Sequence, residues 1–201
     1  MSNFSDIEKQ RFKEGIRKRY AKVALTPQGT FRYPTGREGL EGLKYDPKMI
    51  NALPSEAISS YCGVGNPFTL GPICKGESVL DVGCGGGVDT FVAAMMVGPS
   101  GKAIGIDLVP EMVTRARENI GKIPLNNVLF QEASPEEMPF PDESFDKVIS
   151  NGAFNLVIDK AKALKEVFRV LNLRGHLMVA DQILTGALPD DKMARIEKWA
   201  R

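Results

Sequence analysis

The sequence predicts an α/β fold: a doubly wound, mostly parallel sheet with helices on both faces. Three observations predict it. From residue 77 onward, short apolar runs alternate with stretches of helical periodicity. The runs are near-continuously apolar, as strands buried on both faces must be. The first run passes into a turn with glycine at four of the five positions 83–87. Repetition of strand, helix and strand implies parallel pairing, and right-handed crossovers then leave a doubly wound sheet as the natural solution.

The chain opens with a helix. Ser5 and Glu8 form a capping-box pattern, and Phe12, Ile16, Tyr20 and Val23 repeat at helical spacing, which predicts a helix over Ser5–Ala24. Residues 26–47 are rich in Gly, Pro and Thr and keep no period, which predicts a loop or lid. Short helices are expected over Pro47–Leu53 and Pro54–Ser60, and "GVGNPF" then turns into the main domain. The expected organisation is an N-terminal helix and lid segment, 1–60, followed by a ligand-binding α/β domain, 61–201. Strands are expected at "SVLDV", "KAIGIDL", "NVLFQEA", "DKVISN" and "HLMVADQI". Between them, Val88, Phe91, Val92, Met95 and Met96 share one helical face. Met112, Val113, Ala116 and Ile120 share a second, behind Pro110 at the helix start. Leu164, Val167, Phe168 and Leu171 share a third, with Asp159 as N-cap.

Composition bounds the function. An apolar share of 43% and a charged share of 25% in 201 residues describe an ordinary globular domain. Net charge is +1, so the molecule advertises no polyanionic partner. Residues 1–37 carry nine Lys/Arg against three Asp/Glu, which we read as a solvated helix face, and nucleic acid is not expected as a partner. Cys62, Cys74 and Cys84 make no CxxC pair, and no secretory signal pattern precedes them. That predicts free thiols in a reducing, cytoplasmic setting. No apolar run approaches a membrane span, so no membrane partner is expected.

The glycine turn admits three ligands on paper. A P-loop needs Gly-Lys-Ser/Thr at the helix start; here the chain reads Gly87-Val88-Asp89, and a triphosphate would meet a carboxylate. A nicotinamide fingerprint needs a third glycine where Val88 stands, and Asp81 would face the pyrophosphate unfavourably. S-adenosylmethionine accounts for both oddities, because its sulfonium and ammonium favour nearby carboxylates. Asp107 closes the second strand about twenty residues beyond the turn, where a ribose-binding acid belongs.

"VLDVGCGGG", "GIDLVPEMVTRAREN", "MPFPDESFDKVISN" and "FRVLNLRGHLMVADQI" resemble, in order and spacing, the motifs of class I S-adenosylmethionine-dependent methyltransferases. "GNPF", "VGPSGKAIGIDLVPEM" and "SNGAFNL" are similar to stretches of the arsenite methyltransferases within that family, and "RKRYAKVA" is similar to their N-terminal helix. The resemblance implies a Rossmann-like sheet and S-adenosylmethionine as cofactor. It implies that Asp81, Gly83 and Gly85, with Cys84 inside the turn, line the methionine moiety. Asp107 would bond the ribose, with Leu108 and Met112 packing beside adenine or ribose. Ser134 and Pro135 fall at the adenine edge, where the family has an acid in place of Ser134. Asn151 would offer its backbone carbonyl to the donor amino group, and Tyr20 would cover the cofactor.

Two departures bear on the acceptor. The cysteines that the resemblance would place for arsenic fall on Val64 and Gly152, and a soft metalloid site needs several converging thiolates. The leading expectation is therefore methyl transfer to another small-molecule acceptor. Arsenite methylation, through Cys62 with thiols from outside this chain, and a non-catalytic S-adenosylmethionine-binding module are the alternatives. No metal is required and no metal-ligand cluster is expected. No catalytic residue is assigned; Asp181 is the carboxylate nominated as a base, with a capping role as its plainer reading, and His176 is expected to be structural. The resemblance also implies two strands beyond the fifth, whereas "LPDDKMARIEKWAR" offers one further helix through Met193, Ile196 and Ala200. The expectation is a sheet of five strands, C-terminally short, whose fifth strand is an edge covered by that helix, by a homodimer mate or by residues of a longer parent. Turnover by this chain alone is then expected to be poor.

Overall fold

The computed structural model describes residues 5–183 and Gly186. Its strands are β1 (Ser78–Val82), β2 (Lys102–Asp107), β3 (Val128–Glu132), β4 (Phe145–Asn151) and β5 (Leu171–Ala180). They form one sheet in the order β3-β2-β1-β4-β5, and every pairing is parallel. The chain winds outward from β1 to β3, then crosses back to β4 and β5. The switch point therefore lies between β1 and β4, where doubly wound sheets bind ligands.

Side chains alternate across the sheet as the pleat requires. Val79, Ala103, Ile149 and Met178 form one buried face with Ala93, Ala94 and Val97 of helix α5 (Val88–Val97). Leu80, Val82, Ile106 and Val148 form the other face, under Ala163, Val167 and Val170 of helix α7 (Lys160–Val170). Helix α6 (Pro110–Ile120) buries Met112, Val113 and Ala116. Burying each such large apolar side chain contributes about 1.5–3 kcal/mol.

The N-terminal helix α1 (Asp6–Leu25) starts where the capping box predicts. The Ser5 hydroxyl accepts from the Glu8 amide at 3.3 Å, and the Glu8 carboxylate accepts from the Ser5 amide at 2.7 Å. Helix α1 lays Phe12, Ile16, Val23 and Ala24 against Val109 and Met112. Residues 26–47 hold more structure than their composition predicts: helix α2 (Gly36–Gly42) forms there despite three glycines. Leu40 is fully buried beside Tyr45, Ile50 and Tyr61, and that packing overrides the glycine penalty. Helices α3 (Pro47–Ala52) and α4 (Ser55–Ser59) follow as expected.

Helix α7 corrects the sequence reading. Asp159 is its N-cap, but the face turned to the sheet is Ala163, Val167 and Val170. Leu164 and Phe168 are 47% and 84% exposed. The rotation follows from Arg169, which donates to the Phe140 and Met138 carbonyls at 2.7 and 3.0 Å and pairs with Glu166 and Asp142. That clamp fixes the side of α7 facing the 138–142 loop, and the smaller residues are then the ones against the sheet. Regular pairing of β5 with β4 runs from His176 to Ala180, after an irregular stretch in which Arg174 takes φ 74°. His176 receives a contact from the Lys147 ammonium at 3.1 Å at the amino end of the strands, away from the switch point. Among the described residues β5 is an edge strand. The expected helix through Met193, Ile196 and Ala200 lies outside the described residues.

Candidate functional site

The turn after β1 dictates the site. Gly83, Gly85 and Gly87 have φ of 79°, 52° and 93°, a region that other residues enter only with strain. A Cβ on Gly83 would collide with that of Ala153, and one on Gly87 would lie 2.6 Å from the Phe130 ring. The amides of Gly83 and Cys84 donate to the Ile106 carbonyl at 2.8 and 3.0 Å, so the turn is held at the carboxyl end of β2. Asp107 completes the arrangement. Its carboxylate accepts from the Gly85 amide at 2.9 Å and from the Val109 amide at 2.9 Å. Burial pushes this carboxyl up, and the backbone donors Val109, Gly85 and Leu108 oppose the shift.

These groups open on a cavity at the carboxyl ends of β1, β2 and β4. Its walls include Gly83, Gly85, Asp107, Leu108, Met112, Ser134, Pro135 and Asn151, eight of the ten residues singled out from the sequence. Asp81 and Cys84 stand behind the wall. Asp81 is buried with its carboxylate accepting from the Thr90 hydroxyl at 2.7 Å. Burial and the neighbouring Asp89 push it well above the usual carboxylate range. Cys84 is buried, and desolvation raises its thiol too. Cys62 and Gly152, which the comparison of cysteine positions singles out, also line it; the wall residues that sequence reasoning missed are chiefly Lys13 and Ile16 of α1 and Glu136. Tyr20 lines the cavity as expected. The helical spacing of Ile16 and Tyr20 was a signal for a covering face; nothing local in the sequence marked Glu136.

The charge of the lining discriminates between ligands. It carries the carboxylates Asp107 and Glu136 and one lysine, Lys13, whose ammonium lies 4.0 Å from Glu136. The first turn of α5 carries the acid Asp89 and no basic side chain, which disfavours a phosphate there. The lining fits a cationic ligand with ribose hydroxyls, as S-adenosylmethionine is. Ser134 is less available than a free hydroxyl, because its oxygen accepts from the Glu136 amide at 3.2 Å. Asp181 does not line the cavity; its carboxylate accepts from the Asn155 and Gln182 amides at 2.9 and 2.7 Å, the capping role.

At the far end of the cavity, Asn151 and Gly152 meet the 62–66 loop. A Cβ on Gly152 would lie 3.4 Å from a Val64 methyl, so the two positions are neighbours. Cys62 lines the cavity nearby, and burial followed by the charge of Asp107 pushes its thiol up to about 12. It is a thiol at neutral pH. Among the described residues no group of three His, Cys, Asp or Glu could hold a metal ion, and no helix is long and apolar enough to cross a membrane.

Comparison with known proteins agrees with this geometry. A family model described as a methyltransferase domain matches residues 73–201. An arsenite methyltransferase of Halobacterium salinarum is 34% identical over 93% of this chain and 51% of its own length. A ubiquinone/menaquinone biosynthesis C-methyltransferase of Pasteurella multocida is 40% identical over 69% of this chain and 51% of its own. The crystal structure of an arsenic(III) S-adenosylmethionine methyltransferase from Chlamydomonas reinhardtii superposes with a TM-score of 0.62 and 33% identity, covering 69% of this chain and 50% of that one. The chain thus spans about half the length of the relatives it matches. The parallel sheet, the glycine turn closed by Asp107 and a family match over more than half of the residues together make this chain a member of the class I S-adenosylmethionine-dependent methyltransferases.

Proposed function

We propose that this chain transfers the methyl group of S-adenosylmethionine to a small organic acceptor. The observation that carries the reading is the acceptor end of the cavity: Val64 and Gly152 are neighbours there, and Cys62 is the cysteine that lines it. Such a wall is apolar and short of thiolates, which suits a carbon or heteroatom acceptor better than a soft metalloid. When bound, the cofactor supplies an electrophilic methyl on a sulfonium. The protein's share is then to bind, orient and exclude water. Asp107 would hold the ribose hydroxyls, Gly83 and Gly85 would let the backbone approach the methionine end, and Leu108, Met112, Ser134 and Pro135 would border adenine. Asp81 would act from behind the turn, and Tyr20 would cover the cofactor from α1. Alignment of nucleophile, methyl and sulfur can contribute ~7–11 kcal/mol.

Arsenite methylation is the second reading, favoured by the 34% identity to the Halobacterium salinarum arsenite methyltransferase across 93% of this chain. The test is transfer of labelled methyl from S-adenosylmethionine to a panel holding arsenite, phenols, quinols and amines. Product on an organic acceptor and none on arsenite is expected. Methylated arsenic that disappears with Cys62→Ser would establish the second reading. Cofactor binding without transfer to any acceptor would leave a non-catalytic binding module.

A further inference from the structure

Asp89 lies outside the cavity lining, yet it is buried and both of its oxygens are engaged. It sits in the first turn of α5 and is 6% exposed. One carboxylate oxygen accepts from the Tyr45 hydroxyl at 2.7 Å. The other accepts from the Asn151 side-chain amide at 3.0 Å. The second hydrogen of that amide reaches the Gly65 carbonyl at 2.8 Å. The Asn151 side-chain oxygen accepts from the amides of Val64 and Gly65 at 2.8 and 3.1 Å. Tyr61 completes the group, with its hydroxyl 3.2 Å from that of Tyr45. Gly63 is glycine for the same reason: a Cβ there would collide with the Asn151 amide and the Tyr61 hydroxyl.

The logic of donors and acceptors is one-directional. An ionised carboxylate is acceptor-only, so it can face only the NH₂ side of Asn151. That leaves the Asn151 oxygen for Val64 and Gly65, and the loop docks in one register. We infer that Asp89 is a positioning residue for methyl transfer, fixing the orientation of the Asn151 amide and through it the 63–66 loop that walls the acceptor end of the cavity. The inference rests on the methyltransferase reading for its purpose, but not for its geometry. Asparagine at position 89 keeps the shape and one acceptor. Its oxygen can take the Asn151 NH₂ and its own NH₂ the Tyr45 hydroxyl, so Asp89→Asn loses the charge but not the register, whereas Asp89→Leu removes the acceptor that faces Asn151. Four titratable groups face Asp89: Tyr45, Tyr61, Cys62 and Asp81. Burial pushes the first three up, away from the acid range. Asp81 bonds Thr90 instead of Asn151.

The test is nuclear magnetic resonance on the full chain, with calorimetry of S-adenosylhomocysteine binding alongside. In the wild type, the Asn151 side-chain amide and the Val64 and Gly65 backbone amides should titrate together, with one midpoint, between pH 8 and 5. Asp89→Asn should abolish that shared titration, and Asp89→Leu should speed exchange at Val64 and Gly65 at least tenfold at pH 7. The affinity of Asp89→Asn for S-adenosylhomocysteine should stay within threefold. Tyr45→Phe, which keeps the carboxylate and Asn151, should retain the titration. Absence of a shared titration in the wild type, which needs no variant to fold, overturns the inference, as does unchanged exchange in Asp89→Leu. Failure of the wild type to bind S-adenosylhomocysteine would count against the cofactor reading alone.

Discussion

Asp107 and Asp89 are both acids near the glycine turn, and their partners separate their roles. Asp107 spends its two oxygens on two backbone amides and still borders the cavity. A carboxylate has about four lone-pair sites, so acceptor capacity remains for a ligand hydroxyl. Asp107→Ala should weaken S-adenosylhomocysteine binding by about 1–3 kcal/mol by calorimetry, the loss of a hydrogen bond to a charged group; unchanged affinity would remove Asp107 from the site. Asp89 is buried, and that burial lifts its carboxyl to about 6 against the opposing bonds from Tyr45 and Asn151. The unfolded chain titrates near 3.9. Between those values the folded state holds the proton that the unfolded state has lost, so stability falls as pH rises through this window. Asp81 and Asp107, also raised by burial, act in the same sense, so denaturation midpoints should drop from pH 4 to 6, and Asp89→Asn should lessen the trend. A midpoint that rises over that window in the wild type contradicts the assignment. Asp107 was legible in the sequence because it ends a strand at a set distance from the turn. Asp89 was not, because its partners Tyr45 and Asn151 lie 44 and 62 positions away and share no period with it.

Elements were legible where the pattern is local. The capping box set the start of α1, Pro110 set that of α6 and Asp159 that of α7. The strands followed from their continuous apolar runs. Two elements escaped for the same physical reason, that tertiary packing outweighs local preference. Helix α2 forms around the buried Leu40 in a segment with no period. Helix α7 turns Phe168 outward because Arg169 is tied to Met138, Phe140, Asp142 and Glu166. This clamp carries its own test. The Arg169 side chain is 30% exposed, so screening holds Arg169→Ala to about 1–2 kcal/mol of destabilisation, or roughly 2–8 °C in melting temperature. The loss should appear as faster amide exchange at Met138. A variant with wild-type melting and unchanged exchange there would show that the clamp is idle.

For the molecule as a whole, the donor end and the β5 edge differ in finish. The donor end is lined by β1, β2, the 133–136 segment and α1. The edge exposes Phe168 and Leu173, at 84% and 83%, beside an unpaired strand among the described residues. Open apolar edges favour pairing with another chain. Sedimentation velocity should show association that rises with concentration and weakens in Phe168→Glu; a monomer at all concentrations in both proteins would oppose the idea. The fold, the cofactor turn and most of the wall were legible in the sequence, since strand, turn and acid follow one another along the chain. The acceptor end was not, since Val64, Gly152 and Cys62 come together only through the crossover to β4.

The central claim is that the cavity closed by Gly83, Gly85 and Asp107 is built for a sulfonium nucleoside and not for a dinucleotide. Isothermal titration calorimetry of the full chain with S-adenosylhomocysteine and with NAD tests it most directly. The account predicts saturable, one-to-one heat with S-adenosylhomocysteine, reduced in Asp107→Ala, and none with NAD. Saturable heat with NAD and none with S-adenosylhomocysteine would contradict it.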